Sequence, residues 1–541
     1  MDIVILALNS KYIHSSLAPW YLKAEVPAAT VLEHTVNEDI DTVLKDIVSL
    51  KPRILAISVY IWNIKYAERI LELVKESLPD IITVVGGPEV SYNPKDVLER
   101  SHSIDYVISG EGEIPFSFLC NSIEHNITPN ISGVSYRDHI SEPFIGSGTP
   151  KSPYIDDYFT ALNNRIAYFE SSRGCPYSCA YCLSGRCERM RFFDMEYVKE
   201  NLLKLAKSGT KTIKFVDRTF NAERNRAREI FSLIIEKNGT EFPRDVCFHF
   251  ELSGDLLDDE TVELLSSAPD GLFQFEIGIQ SFYPKTINAI HRKTKSEVLK
   301  KRISQLIKLN NAHIHTDLIA GLPYEGYEDF INSFNEAYSL GADMLQLGFL
   351  KILHGTELEV KADEYGLHFS KNPPYEVYET TWLSNAEIKL LKTAESALDR
   401  IHNSGRFKRT VALCLPYFKT AYDFFYKCGR VIEDSHSLDE MTDKLYFYLK
   451  TEFPQKSEQI RDALVCDRIA TNSSKGLPKS IYQNDARIGK IKHLLNNDEG
   501  TAEKKGIRRN IAILYGANKV VYADYDIKSH KNEYELKFLE L

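Results

Sequence analysis

Residues 173–182 read "RGCPYSCAYC" and place three of the chain's nine cysteines, Cys175, Cys179 and Cys182, at the spacing C-x3-C-x2-C. An odd number at so tight a spacing is not a disulfide framework. Thiolates are soft ligands that suit zinc or iron–sulfur clusters. A structural zinc site wants four ligands, usually as two separated pairs. Bacterial ferredoxins use a different run, C-x2-C-x2-C with a later fourth cysteine. Three thiolates on a four-iron cluster leave one iron without a protein ligand, which is what is needed if a substrate or cosubstrate must itself bind iron. Cys187, five residues on, is an alternative fourth ligand. It reads better as an ordinary loop cysteine, because a fourth thiolate would occupy the open iron.

A loop that holds a cluster needs a frame. The run "IAYFESS" (166–172) precedes the triplet and opens a series continued by "TIKFVD" (212–217), "VCFHFEL" (246–252), "FQFEIGIQ" (273–280), "IHTDLIAGL" (314–322) and "MLQLGFL" (344–350). Each of the first five is followed by a helical pattern, such as "SEVLKKRISQLIKLN" (296–310). Six such units over residues 164–364 predict an open, partial α/β barrel with its active site at the strand C-termini. The cysteine loop, Asp217, Glu251, Gln280 and Ser281 fall at or near those ends, and Asp317 lies on the fifth strand. On the residues alone, Asp217 reads either as a ligand or as a cap of the next helix. His249 and His315, also on strands, read as satisfied core histidines.

Residues 1–130 alternate short apolar runs with amphipathic patterns. The strands read "DIVILAL" (2–8), "TVLEH" (30–34), "RILAISVYIW" (53–62), "ITVVGG" (82–87) and "DYVISG" (105–110). Between them "IKYAERILELVKESLP" (64–79) is the clearest helix. Alternation with continuous β-branched strands predicts a flavodoxin-like, doubly wound parallel sheet whose ligands sit at the strand C-termini. Those ends carry Asn9, Ser58, Trp62 and Asn63, then Gly86, Gly87, Pro88 and Glu89, then Gly110, Glu111, Gly112 and Glu113. Residues 131–163 read as a small hairpin and a Pro/Gly/Ser linker. Residues 365–541 read as mainly helical, with terminal strands after 510, and carry no nameable chemical motif. From its place after the barrel, this region is expected to close over the barrel mouth and select substrate.

"CPYSCAYC", with Tyr181 directly before the third cysteine, resembles the signature of the radical S-adenosylmethionine (radical SAM) superfamily. The resemblance implies a [4Fe-4S] cluster on Cys175, Cys179 and Cys182, with S-adenosylmethionine chelating the open iron. Reductive cleavage there yields a 5′-deoxyadenosyl radical, chemistry that needs a cofactor. It also implies that Asp217 accepts from the SAM ammonium, although this chain has Asp-Arg where Gly-Gly-Glu is common. Glu251, Gln280 and Ser281 resemble ribose or carboxylate contacts, and "DLIAGLP" (317–323) resembles the strand that lies along the adenine.

A doubly wound domain directly before such a barrel resembles the cobalamin-binding class of the superfamily, on "VVGGPEVS" and "SGEGEIPF". The opening "ALNSKYIHSSLAPWYL" and the helical C-terminal extension resemble a subgroup whose third domain has no assigned function. No D-x-H-x-x-G occurs in the chain, so another group or water must meet the lower face of cobalt. Asn9, Tyr60, Trp62 and Asn63 are the candidates. The implied function is a cobalamin-dependent methyltransferase acting on an unactivated carbon. Cobalamin-dependent rearrangement or cyclisation, and a non-catalytic cobalamin- or redox-sensing protein, are the alternatives.

The totals narrow the field further. The 541 residues suggest about three or four domain-sized units. A net charge of −10, with 76 acidic against 66 basic residues, argues against an extended nucleic-acid surface. Transfer-RNA methylthiotransferases, which "EIGIQS" and "DLIAGLP" also resemble, carry three further cysteines in the first domain; here residues 1–160 contain only Cys120. No apolar run reaches the ~20 residues of a membrane helix. Nine mostly scattered cysteines fit a reducing cytoplasm. The expected partners are an organic substrate, a small molecule or a peptide, and an external low-potential electron donor such as flavodoxin or ferredoxin.

Overall fold

The computed structural model describes residues 2–186, 190–471, 476–497, 509–524 and 533–541, so Cys187 lies outside the described residues. The first sheet comprises β1 (Ile3–Asn9), β2 (Thr30–Thr35), β3 (Ile54–Ser58), β4 (Ile82–Gly86), β5 (Tyr106–Ile108) and β6 (Val134–Ser135), in the order β2-β1-β3-β4-β5-β6. The first five are parallel, and β6 closes one edge antiparallel to β5. Both faces are covered, which is why the strands are continuous apolar runs. Val4, Leu6 and Leu8 pack with Ile47, Ile70 and Val74 on one face. Ile3 and Ile5 pack with Phe116 and Leu119 on the other. The strand order reverses between β1 and β3, which opens a crevice at their carboxyl ends.

Two expectations for this region change. The third strand stops at Ser58 rather than Trp62, because the Asn63 side chain accepts from the Tyr60 amide at 2.8 Å and turns the chain. The expected hairpin at 132–160 survives as a tight turn between Tyr136 and His139, but its first strand is β6 of the first sheet.

Next come β7 (Ala167–Phe169), the short pair β8 (Ser172–Arg173) and β9 (Arg191–Phe192), then β10 (Thr212–Phe215), β11 (Cys247–Leu252), β12 (Phe273–Gln280), β13 (Ala312–Ala320) and β14 (Met344–Phe349). The order β7-β10-β11-β12-β13-β14 is entirely parallel, the open barrel expected. Outward residues Phe215, Phe250, Phe273 and Phe275 form an aromatic layer with Phe231 of the helix Arg224–Lys237. The alternate residues, Lys214, His249, Glu251, Glu276, His315 and Asp317, face the lumen and are polar. β8 and β9 are the antiparallel stems of the loop that carries the cysteines.

Most of the third region does not sit where it was expected; only its first residues, with Leu367 and Val377, reach the mouth. Its helix Ala421–Ile432 packs on the outside of the barrel helix Tyr327–Ser339 through Phe334, Tyr422 and Phe425; Asn385–Ala397 and Leu438–Glu452 pack on that helix, and Ser457–Thr471 on Leu438–Glu452. The Asn403 side chain donates to the Leu345 carbonyl at 2.8 Å and accepts from its amide at 3.1 Å. These helices therefore cover the unpaired edge strand β14, which a partial barrel would otherwise leave open. The segment at the mouth is shorter. Leu350, Ile352, Leu358, Leu367 and Val377 pack with Ala180, Ile287 and Ile290 beside the cysteine loop. Beyond them lies an antiparallel three-stranded sheet, Arg509–Leu514, Lys519–Asp524 and Lys537–Glu540.

Candidate active site

The cysteine loop leaves β7 at the carboxyl end of the barrel and is clamped on both sides. The Ala180 amide donates to the Ile290 carbonyl at 3.1 Å, and its carbonyl accepts from the Leu358 amide at 3.0 Å. Cys175, Cys179 and Cys182 are free thiols, all half-buried. The Cys182 amide donates to the Cys179 carbonyl at 3.0 Å, and the Cys175 sulfur lies 3.3 Å from Thr219 Oγ1. Among the described residues no three His, Cys, Asp or Glu side chains converge on a single metal ion. A four-iron cube asks for something wider, since each thiolate binds a different corner.

Beside this loop lies Arg292, which sequence reasoning missed. Its Nη1 donates to the Tyr181 hydroxyl at 3.3 Å and its Nη2 to the Gly278 carbonyl at 2.5 Å. Burial pushes the Cys179 thiol pKa up, and the Arg292 charge opposes it. Gln280, held at a φ of 70°, donates from Nε2 to Asp317 Oδ2 at 2.7 Å. A Cβ at position 278 would come within 2.3 Å of Gln280 Nε2 and 3.2 Å of Arg292 Nη2, so a side chain there would push both from these positions. Gly278 was the available signal: an isolated glycine inside a strand marks a close approach. Arg292 Nε and Gln280 Oε1 are buried without a protein partner, an open donor and an open acceptor next to three free thiols. That pair of vacant valences, with the soft donor set, fits a cluster whose ligand carries both an amine and a carboxylate.

Three of the barrel positions expected to touch SAM are engaged elsewhere or stand apart. Both oxygens of buried Asp217 accept from the cluster-loop stem: Ser171 N at 2.9 Å, Ser171 Oγ at 2.7 Å and Ser172 Oγ at 2.5 Å. Ser281 is buried and donates to Glu325. Glu251 does face the lumen; its nearest cation is Arg218 at 3.9 Å, and burial raises its pKa. Below it His249 Nε2 lies 3.1 Å from Glu276 Oε2, and Lys214 lies 3.3 Å from the same oxygen. The hydrogen bond to His249 outweighs burial and brings Glu276 down to about 2. His249 is thus hydrogen-bonded as expected, but it lines the lumen rather than a core. Among the described residues His315 Nε2, also buried there, has no hydrogen-bond partner.

The first domain reaches the same mouth. His14 Nδ1 lies 2.7 Å from the Tyr168 hydroxyl, with Lys214 close enough to lower its pKa after burial and Lys11. Tyr60 stacks on Trp62 at 4.4 Å between ring centres. Burial raises the Tyr60 phenol, and the charges of Arg218 and Glu170 act on it from the barrel. Trp62 is 51% exposed and free to meet a ligand face.

Its neighbours are not. Asn63 is fully buried and donates to the Leu8 and Ser58 carbonyls at 3.1 and 3.0 Å, tying the ends of β1 and β3 together. Asn9 is held by Glu33 and Ser16, both at 3.0 Å. Ser58 is buried under the same Asn63 bond. A Cβ on Gly87 or Gly110 would meet the carbonyl of Val59 or Phe144 at 2.4 or 2.3 Å, so these glycines serve backbone packing. Gly86 pairs with Ser58 inside the sheet, and Gly112 is the N-cap of the helix Glu113–Glu124. Pro88 is exposed at the rim. Glu89 accepts from the Tyr375 hydroxyl, and burial raises its pKa. Glu111 and Glu113 bind Arg173 at 2.6 and 2.5 Å. Burial pushes the Glu111 carboxyl up; the bond from Arg191 and the Arg173 charge overcome it and hold it below its ordinary value.

Three family models match the chain: a B12 binding domain over residues 3–119, the radical SAM superfamily over 169–337, and a protein of unknown function, DUF4080, over 363–533. The 2-(S-pantetheinyl)-carbapenam-3-carboxylate methyltransferase of Streptantibioticus cattleyicolor is 29% identical over 311 residues, 53% of this chain and 45% of that one. The cobalamin-dependent radical SAM methyltransferase TokK of Streptomyces tokunonensis is 27% identical over 344 residues, 59% of this chain and 50% of that one. The chain thus spans about half the length of these relatives. Among solved structures, the cobalamin-dependent S-adenosylmethionine radical enzyme OxsB with aqua-cobalamin and S-adenosylmethionine bound shares the fold, with a TM-score of 0.59 at 16% identity over 93% of this chain and 80% of that one. The cofactors that go with the matched domains are a [4Fe-4S] cluster, SAM and cobalamin. The chain therefore joins a B12 binding domain to a radical SAM domain, and carries a third domain whose family has no assigned function.

Proposed function

We propose that the protein is a cobalamin-dependent radical SAM enzyme that methylates an unactivated carbon of a polar organic substrate. One observation carries the reading: three free thiols and the loops of the cobalamin-type domain meet at the carboxyl mouth of the same parallel barrel. When bound, the cluster and SAM supply a 5′-deoxyadenosyl radical and cobalamin supplies the methyl group. Cys175, Cys179 and Cys182 hold the cluster. Arg292 receives the methionyl carboxylate, and Gln280 Oε1 accepts from the ammonium. Tyr60 and Trp62 would help hold the corrin. The lumen below, lined by Lys214, His249, Glu251, Glu276 and His315, orients the substrate, and its charge suits a polar molecule rather than a lipid. The segment 350–382 keeps water from the mouth.

No helix among the described residues is long and apolar enough to cross a membrane. The proposal places the enzyme in the cytoplasm, served by a low-potential donor such as flavodoxin or ferredoxin. The test uses protein reconstituted anaerobically with iron, sulfide and hydroxocobalamin, given SAM and a low-potential reductant. Mass spectrometry follows 5′-deoxyadenosine and S-adenosylhomocysteine together. Both products, each lost on Cys→Ala substitution at 175, 179 and 182, are expected. Deoxyadenosine alone would replace methylation by rearrangement or cyclisation. Neither product, with SAM still bound, would point to a sensing protein.

A further inference from the structure

A charged contact between the first domain and the barrel is made by the two glutamates of "GEGE" (110–113). Glu111 Oε2 accepts from Arg173 Nη1 and from Arg191 Nη2, both at 2.6 Å. Glu113 Oε1 accepts from Arg173 Nη2 at 2.5 Å, and Glu170 Oε1 accepts from Arg173 Nε at 3.0 Å. Arg191 also donates to the Gly146 carbonyl. The Arg173 guanidinium lies 5.1 Å from the ring centre of Tyr21 and 5.8 Å from that of Phe193. With a second bond from Nη2 to Glu170 Oε2 at 3.0 Å, four of its five hydrogens are directed, in a site where its side chain is only 16% exposed.

Arg173 and Arg191 are register partners in β8 and β9, the two stems of the cysteine loop. A single carboxylate of the first domain therefore bridges both stems. Only Gly174, at a φ of 89°, separates Arg173 from Cys175. The bound guanidinium and the first thiol are therefore two residues apart at the end of one stem. A planar fork bound bidentately across two elements fixes direction as well as distance, which an ammonium does not.

We propose that Arg173, Glu111 and Glu113 form a positioning latch that sets the cluster-bearing loop against the cobalamin-type domain. The proposal rests on the functional reading above, because it gives the latch its purpose: the cluster and cobalamin are held in register through the protein rather than through each other. Coupling of this kind is reciprocal, so loading one cofactor stiffens the seat of the other.

The test uses the full chain as wild type, Glu111→Gln and Arg173→Lys, the second keeping the charge and losing the fork. Hydrogen exchange of the cofactor-free protein is read over residues 172–186. The latch predicts exchange there faster by about tenfold or more in both variants, with the barrel strands unchanged. The proteins are then loaded with iron, sulfide and hydroxocobalamin and reduced. Electron paramagnetic resonance reads how strongly the reduced cluster speeds relaxation of the cob(II)alamin signal. The latch predicts iron and cobalamin contents within about twofold of wild type but a weaker, broader interaction between the two centres. Loop exchange and relaxation unchanged in both variants would overturn the latch, as would a lowered melting temperature with no selective change at 172–186. Should wild-type protein take up no cobalamin, the functional reading fails, while the exchange measurement still decides the latch. If Glu111→Gln does not fold, Arg173→Lys answers alone.

Discussion

Ser281 donates its hydroxyl hydrogen to Glu325 Oε1 at 2.6 Å, so the serine of "EIGIQS" faces the outer helix layer and not the cluster loop. Ser333 donates to the same oxygen at 2.8 Å, and the other oxygen of this fully buried carboxylate has no partner. Burial raises Glu325 to about 7, against the opposing bonds from Ser281 and Ser333.

That shift fixes a pH dependence. With a folded value near 7 and an unfolded value of about 4.3, the native state holds this proton more tightly. Its contribution to stability is complete below about pH 4 and is lost as pH rises through about 7. Glu325→Gln removes the titration. The variant is expected to be more stable than wild type above pH 7, by on the order of 3 kcal/mol, with the gap closing toward about pH 4. Urea midpoints measured across that range check it, and parallel pH profiles would refute it.

The same relationship separates Ser281, which the sequence alone puts at the SAM carboxylate, from Arg292, which it does not single out. Arg292→Gln removes a charged donor set beside Cys179 and Tyr181. A charged hydrogen bond is worth about 1.5–3 kcal/mol, so SAM binding to the cluster-loaded protein should weaken about 10- to 100-fold. Ser281→Ala, turned away from the site, should leave it within about twofold. Calorimetric titration with SAM under anaerobic conditions measures both, and the reverse ranking would reassign the carboxylate contact to Ser281.

These contrasts show what could be read in the chain. Strands such as Phe273–Gln280 were legible to within a residue, because buried apolar residues facing the helices alternate with polar ones facing the lumen. The cysteine loop was legible from spacing. The direction of a strand-end side chain was not, because its partner is remote in sequence. Glu111 finds Arg173 and Arg191, Glu89 finds Tyr375, and Asp217 finds Ser171 and Ser172. Each was a polar residue at a functional edge, and each is held by the neighbouring domain or the loop stem. Position after the barrel likewise suggested a lid, whereas the edge strand β14 was the surface in need of cover.

Asn63 and Trp62 are adjacent and have opposite tasks. Asn63→Ala leaves the Leu8 and Ser58 carbonyls and the Tyr60 amide without their bonds. At about 1–3 kcal/mol for a buried polar group left unpaired, a loss of roughly 2–4 kcal/mol is expected. Trp62→Ala removes an exposed ring and should leave the melting temperature within about 2 °C. Its cost should instead fall on hydroxocobalamin binding, weakened about tenfold by the lost stacking face. Spectrophotometric titration beside thermal melts distinguishes the two, and a Trp62→Ala protein that binds cobalamin like wild type would remove that residue from the corrin face.

Asp217 supplies the sharpest division between a ligand and a strut. Its carboxylate accepts three hydrogen bonds from Ser171 and Ser172, directly before the stem of the cysteine loop. Burial raises its pKa while those bonds lower it, so the ionised group depends on its donors. Asp217→Ala strands three buried donors, and a protein that loses iron on reconstitution and about 3 kcal/mol of stability is expected. In Asp217→Asn the amide oxygen still serves both hydroxyls, and only the bond from the Ser171 amide is lost. This variant should keep its cluster and bind SAM within about threefold of wild type, since no SAM contact has been removed. If Asp217 were instead the acceptor for the SAM ammonium, Asp217→Asn would keep its iron and lose SAM affinity by about tenfold or more. Iron content and SAM affinity measured on the same preparation therefore decide between the strut seen in the structure and the ligand expected from the sequence.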